Sequence, residues 1–254
     1  MTPTEEWIED GRRVGRRVLL YDRVESTNSL ALALAGDAEA DGLVLVAREQ
    51  TAGRGQHGRT WLSPAGSSVL LSAVLFQPPA LRRPAILTAW AAVSVCETVH
   101  ELTGLDATIK WPNDVFLGGR KTCGILIEQR QGVVIGIGLN VNQTGEMFHA
   151  ASLTEATSLA VPTGQEFDCR DVTRRLIGRL DAGFRRLAEG DLEPLEASWR
   201  ERLGLLGRPV TAECHDGDVR GRLLELTFAG VVLEVTGGAL RCLSPEAVRH
   251  LRPR

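Results

Sequence analysis

The sequence lacks most of the features that would assign it to a specialised class at once. Its five cysteines are odd in number and irregularly spaced, with no CxxC pair. That excludes a disulfide framework and reads as reduced thiols in a cytoplasmic protein. His57, His100, His149, His215 and His250 share no metal-ligand spacing with one another or with the cysteines, so no metal site is expected. No apolar run is long enough to span a bilayer, and the charged opening MTPTEEWIEDGRRVGRR lacks the apolar segment of a signal peptide. Neither sign of charge dominates: 29 Lys and Arg against 32 Asp and Glu leave −3, which argues against a nucleic-acid coat or a polybasic membrane surface. A GxxxxGK[ST] phosphate loop, a glycine fingerprint running into a helix, a nucleophile elbow, internal repeats and low-complexity tracts are all missing. What is present is 254 residues, 43% of them hydrophobic, enough for a large domain with a small one attached.

Along the chain, RRVLLYDRV (16–24) reads as a strand. ESTNSLALALAG follows, with Ser26, Thr27 and Asn28 as candidate N-caps of a short helix and Gly36 as its stop. GLVLVARE (42–49) and SSVLLSAVLF (67–76) are apolar strands on either side of a long glycine-rich connection. RRPAILTAWAAVSVCETVHELTG (82–104) is a buried helix ended by Gly104. ATIKW, CGILIEQ and GVVIGIGLNV are further strands, the first two separated by turn chemistry at PND and GGRK. From Cys169 to Leu203 the pattern is helical: Val172, Leu176, Leu180, Phe184 and Leu187 line one face, with arginines expected on a solvated one. Residues 208–254 change texture, with short alternating runs split by DGD, FAG and TGG, which predicts a barrel-like β module of about five strands.

Three stretches carry chemistry. QTAGRGQHGRTW (50–61) holds three glycines for close backbone approach or positive φ, Arg54 and Arg59 as donors to carboxylate or phosphate, and Trp61 as a flat stacking face. On its own it also fits a flexible turn, the lesser of the two readings. KWPNDVFLGGRKTCGILIE (110–128) places Asn113 and Asp114 at a turn and Lys121 just before an apolar strand, where a lysine is ordinarily a snorkelling surface residue. Asp114 and Glu128 are a conceivable carboxylate pair, with nothing to fix their separation. GIGLNVN (136–142) alternates glycine with Ile and Leu, so something approaches this strand closely, and Asn140 and Asn142 are either polar handles or strand-end turn residues.

Taken together and in order, ESTNSLA, QTAGRGQHGRTW, SSVLLSAVL, KWPNDVFLGGRKTCGILIE and GIGLNVN resemble the biotin protein ligases, over roughly residues 18–142. The resemblance implies an α+β fold: a mixed, mainly antiparallel sheet flanked by helices, class II aminoacyl-tRNA synthetase-like, with a small SH3-like C-terminal β-barrel. The implied division is 1–204 for a biotin- and ATP-binding catalytic domain and 205–254 for the β domain. The implied substrates are biotin and ATP with Mg2+, giving a biotinyl-5′-AMP intermediate; the implied partner is the biotin carboxyl carrier protein, whose lysine accepts biotin. Carried over by residue, Ser26, Thr27, Asn28, Gln50, Arg54, Gly55, Gln56 and Lys121 bind biotin or its adenylate, with Lys121 and Arg54 catalytic. Trp61, Asn113 and Gly124 fall at the nucleotide, and Asp114 is left without a role. Many relatives carry a basic residue mid-loop where this chain has Gln56 and His57, so adenylate retention is expected to be weaker. The ESTN motif starts at Glu25, leaving no room before it for a DNA-binding winged helix, so operator binding is not expected. Monomer and homodimer both remain open. The rival readings are a lipoate or octanoate ligase on the same fold, or a non-catalytic biotin-binding regulator.

Overall fold

A computed structural model describes residues 2–76 and 81–254, except for the side chain of His57. The larger sheet has eight strands: β1 (Glu5–Ile8), β2 (Arg17–Val24), β3 (Leu43–Gln50), β4 (Ser68–Leu75), β5 (Ala107–Lys110), β6 (Asp114–Leu117), β7 (Arg120–Gln129) and β8 (Val133–Asn140). They lie in the order β1-β2-β3-β4-β8-β7-β6-β5. Only β2 and β3 pair in parallel, and the crossover between them carries helix α1 (Thr27–Leu34). The remaining neighbours are antiparallel, so the sheet is mixed and mainly antiparallel.

Alternation along the strands divides the chemistry between two faces. On β8, Val133, Ile135, Ile137 and Leu139 point into the main core with α2 (Pro84–Thr103) and α5 (Cys169–Ala188), together with Val18, Val44 and Leu71. On the opposite face Leu19, Tyr21, Leu45 and Val134 pack under α1 through Ala31 and Ala35. The same face of β8 continues as Gly136, Gly138 and Asn140, where side-chain bulk is withdrawn and a cavity opens.

Several sequence expectations change. β1 was not foreseen, because EEWI is short and charged; it forms because Trp7 is buried and capped by Arg170 and Arg174, both 4.8 Å from its ring. β6, read as part of a turn, is a four-residue strand too short for periodicity to reveal, with Val115 and Leu117 buried. Gly36 is no left-handed stop: α1 ends at Ala35 with ordinary φ of −71°, whereas Gly104 does cap α2 at φ 70°. The 169–203 helix is two, α5 and α6 (Glu193–Leu203), broken at Gly190 with φ 81°. Its arginines are not simply solvated. Arg175 and Arg179 both grip Glu101 of α2, at 2.5 and 2.7 Å, and hold its carboxyl below the usual glutamate range, chiefly through the Arg179 hydrogen bond. Two short helices, α3 (Gly145–Ala150) and α4 (Ala160–Thr163), complete this part.

The C-terminal module has the five expected strands, β9 (Pro209–Cys214), β10 (Gly217–Leu226), β11 (Val231–Glu234), β12 (Leu240–Leu243) and β13 (Val248–Pro253). They form a separate antiparallel sheet ordered β12-β11-β10-β9-β13. It joins the main core through an aromatic cluster: Trp111 lies tilted 5.6 Å from Trp199, and Trp199 stacks 5.2 Å from Phe228. Arg83 adds an ion pair to Glu246 at 3.0 Å, and the Trp111 indole N–H donates to the Val248 carbonyl at 2.8 Å. The five cysteines are free, and no helix among the described residues is long and apolar enough to cross a membrane.

Candidate functional site

A cavity of about 380 Å³ opens on the α1 face of the large sheet. All the residues that the family resemblance assigned to biotin, its adenylate or the nucleotide line it: Ser26, Thr27, Asn28, Gln50, Arg54, Gly55, Gln56, Trp61, Asn113, Lys121 and Gly124. They come from four separate segments, so only the sheet brings them together.

The inner end is a polar cluster at the start of α1. Ser26 caps the helix, its hydroxyl accepting from the Ser29 N–H at 3.5 Å. Gln50, at the end of β3, accepts with Oε1 from the Thr27 N–H at 2.7 Å and from the Thr27 hydroxyl at 3.1 Å. The buried Ser72 hydroxyl shares its proton between Thr27 Oγ1 at 2.8 Å and Asn28 Oδ1 at 2.6 Å. Asn28 then donates from Nδ2 to Glu128 at 2.9 Å. These bonds fix the side-chain orientations before any ligand arrives, which lowers the ordering cost of recognition.

The floor explains the glycines. A Cβ on Gly136 would stand 2.1 Å from Asn28 Oδ1, and one on Gly138 would stand 2.6 Å from the Trp61 ring. One on Gly124 would reach the same ring at 3.0 Å. The close approach read from GIGLNVN is therefore made first by the protein's own Asn28 and Trp61. Trp61 lies flat on this floor, its Nε1 buried and without a hydrogen-bond partner among the described residues.

The glycine-rich loop is folded on itself as a small hairpin: Gly55 N–H donates to the Arg59 carbonyl at 2.7 Å, and Trp61 N–H to the Gly53 carbonyl at 2.9 Å. Gly53 is needed because a Cβ would stand 2.5 Å from the Trp61 carbonyl, and Gly58 because its φ is 74°. Arg54 crosses to Glu128 of β7 at 2.8 Å. Gln56 lines the cavity, while the His57 side chain lies outside the described residues.

Lys121 owes its direction to a bulge. Opposite Val115 and Phe116 of β6 stand Cys123 and Lys121, so Thr122 is an extra residue in β7. Regular alternation would send Lys121 to the core face with Cys123; the bulge turns it to the cavity face with Gly124. Its backbone is held on the other side too, the N–H donating to the Glu155 carbonyl and the carbonyl accepting from the Thr157 N–H, each at 2.8 Å. The ammonium meets Asp114 at 2.6 Å and lies 5.8 Å from the Trp61 ring centre. Asp114 and Glu128 thus do not pair with each other; each takes a cation.

Asn113 is buried and donates from Nδ2 to the Ile125 carbonyl at 2.6 Å, so that amide group is committed to its own hairpin. Asn140 lines the cavity but is tied to the Thr157 carbonyl and to Gln143. Asn142 is outside the cavity lining, clamped on the backbone of Phe167. No group of three or more His, Cys, Asp or Glu among the described residues is placed to hold a metal ion.

The sequence reading missed His250 and Arg252 of β13, which line the same cavity. They too depend on a bulge: Val248 pairs with Cys214 and His250 with the adjacent Glu213, leaving Arg249 as the extra residue. Val248 and Leu251 stay buried in the small sheet, while His250 and Arg252 face the cavity. No local pattern signals this, since the rest of the cavity lining lies at or before Ala156 in the chain. Arg54, Arg59, Lys110, Lys121 and Arg252 stand against Asp114 alone in the lining, and although Glu128 and Glu213 behind it pair Arg54 at 2.8 Å and Arg252 at 3.4 Å, the cavity keeps a net positive charge.

Residues 20–142 match the biotin/lipoate A/B protein ligase family. The chain is 35% identical over 244 residues to a biotin–[acetyl-CoA-carboxylase] ligase of Mycobacterium tuberculosis, covering 93% of this chain and 90% of that protein. It is 32% identical over 234 residues to the bifunctional ligase/repressor BirA of Bacillus subtilis, covering 90% of this chain and 72% of that one. Among solved structures, the biotin protein ligase from Aquifex aeolicus in complex with biotin and ATP superposes with a TM-score of 0.77 at 26% identity, over 93% of this chain and 98% of that one.

Proposed function

The chain belongs to the biotin protein ligases of the biotin/lipoate A/B protein ligase family, and from that premise we infer how its cavity carries out the reaction. It is an ATP-dependent ligase that attaches biotin to acetyl-CoA carboxylase by way of biotinyl-5′-AMP. The acceptor is a lysine of the carrier protein. The polar cluster of Ser26, Thr27, Asn28 and Gln50 holds the biotin head group, and its carboxylate points towards Lys121. ATP enters over the cationic half with Mg2+ as part of the substrate, Trp61 and Gly124 beside the adenine and Asn113 at the edge of the same subsite.

In the first step the biotin carboxylate attacks the α-phosphate of ATP, and pyrophosphate leaves. At 4 Å and an effective dielectric near 20, each such charge pair repels by about 4 kcal/mol. Lys121 and Arg54 offset that repulsion and stabilise the charge that grows at phosphorus. Asp114 engages one of the three lysine N–H donors and leaves the others for an anion. Arg54 likewise keeps part of its guanidinium fork beyond its bond to Glu128. In the second step the acceptor amine attacks the acyl carbon and AMP leaves. A loop over the adenylate keeps water out until then.

We divide the chain into a catalytic domain, 1–204, resembling class II aminoacyl-tRNA synthetases, and an SH3-like unit, 205–254. The left-handed turn at Gly204, φ 61°, supports the boundary. β13 brings Arg252 to the cavity, which suits closure over the nucleotide phosphates.

The observation that carries this assignment is the convergence of eleven dispersed residues on one cationic cavity. The test is ATP-dependent biotin transfer to a carrier domain, with biotin-dependent ATP–pyrophosphate exchange measured beside it. Exchange supported by lipoate and not by biotin would replace the substrate. Saturable biotin binding without exchange would replace the enzyme by a regulator.

A further inference from the structure

Glu128 lies behind the cavity lining, yet it touches two functional parts at once. One oxygen accepts from Arg54 of the glycine-rich loop at 2.8 Å, and the other from Asn28 Nδ2 at the start of α1 at 2.9 Å. Its side chain is only 20% exposed, whereas that of Arg54 is 46% exposed. The anchor is therefore the better-buried partner, and the loop is the partner free to leave. Asn28 is itself 4% exposed and held from the other side by Ser72, so it cannot follow the loop outward. Glu128 shares its strand face with Gly124 and Leu126 of the cavity wall, which places the carboxylate at a fixed height beside the polar cluster.

We propose that Glu128 is a positioning residue that seats the glycine-rich loop and couples it to the acid-binding end of the cavity. The inference rests on the ligase reading for its second half only. A charged hydrogen bond between a fixed carboxylate and a mobile arginine sets how often the loop opens. The same carboxylate fixes which way the Asn28 amide faces. Movement of Asn28 on binding the acid is thereby felt at Arg54, and loop closure is felt at Asn28, as reciprocal coupling requires.

Hydrogen exchange of residues 51–62 in the ligand-free chain tests the first half without any substrate. Glu128→Gln should speed opening of this segment roughly fivefold to tenfold, and Arg54→Ala by a similar factor. The double variant should open no faster than either single, since both remove one bond. The second half is read from kinetics. Glu128→Gln should release biotinyl-adenylate faster by the same factor while holding KM for biotin within about twofold, because the amide oxygen still accepts from Asn28. Glu128→Ala loses both bonds and should raise KM for biotin as well, roughly fivefold. A residue that merely stabilised the fold would lower Tm in both variants without this split. Unchanged exchange over 51–62 in Glu128→Gln, or additive effects in the double variant, overturns the proposal. If the wild-type chain makes no biotinyl-adenylate, the ligase reading fails, and the exchange measurements still decide whether Glu128 seats the loop.

Discussion

Two strands far apart in the chain solve the same geometric problem. β7 carries one extra residue at Thr122, and β13 one at Arg249. Each bulge moves a cationic side chain off the face that alternation would assign and onto the cavity, Lys121 in the first case and Arg252, with His250 beside it, in the second. The surroundings differ. Lys121 is held on both edges of its backbone and paired with Asp114 at 2.6 Å. β13 reaches the site across an interface, fixed near its start by the Trp111 indole bond to Val248 and the Trp199–Phe228 stack. The comparison teaches that the first cation is built into the sheet, while the second arrives only if the small sheet docks. Chemistry should fail when the first is removed, and nucleotide affinity should weaken when the second is.

The largest expected effect is at β7. Lys121→Ala should lower adenylate formation on the order of 10³-fold with the fold intact, as loss of a main charge-stabilising donor does. Near-normal pyrophosphate exchange in a folded variant would remove Lys121 from the mechanism. Next is the floor between the bulges: Gly136→Ala must displace Asn28, so KM for biotin should rise roughly tenfold to a hundredfold. Isothermal titration with biotin checks it directly. At β13, Arg252→Ala should raise KM for ATP roughly tenfold while biotin binding is unchanged. If biotin binding weakened equally, the small sheet would serve the whole cavity rather than its nucleotide end. Trp111→Phe keeps an aromatic ring against Trp199 and loses the bond to Val248, so it should cost about 1 kcal/mol of stability or more and weaken ATP more than biotin.

The smallest effect is a control remote from both bulges. Arg179 and Arg175 hold Glu101 below its ordinary value of about 4.3. A lowered carboxylate contributes stability above that value and loses it as pH falls through the folded value. Glu101→Gln should therefore destabilise by at most about 1 kcal/mol at pH 7, since the pair is partly exposed, and the difference should vanish in acid. Thermal melts at steps from pH 7 down into acid give the comparison.

Most of the cavity was legible because each motif has a local cause. Glycines at 136 and 138 announce a close approach, Ser26 announces a helix start, and arginines among glycines announce an anion-binding loop. Trp61 was legible as a flat face, though not as one lying on Gly138. Asn142 shows the limit in the other direction: it looks like a polar handle and is a clamp on Phe167. Glu128 was visible as a carboxylate, but its partners lie 74 and 100 residues away. Four-residue strands such as β1 and β6 escaped because they exist through pairing and not through any period of their own.

By itself the sequence determined the longer strands and helices, the glycine positions and most of the side chains gathered at the site, because these follow from local sterics and alternation. Only the tertiary structure decided which way Lys121, His250 and Arg252 point. A bulge is a mismatch between two strands, and neither strand records it alone. The structure also decided which carboxylate meets which cation, since charge pairing depends on distances that spacing along a chain does not set.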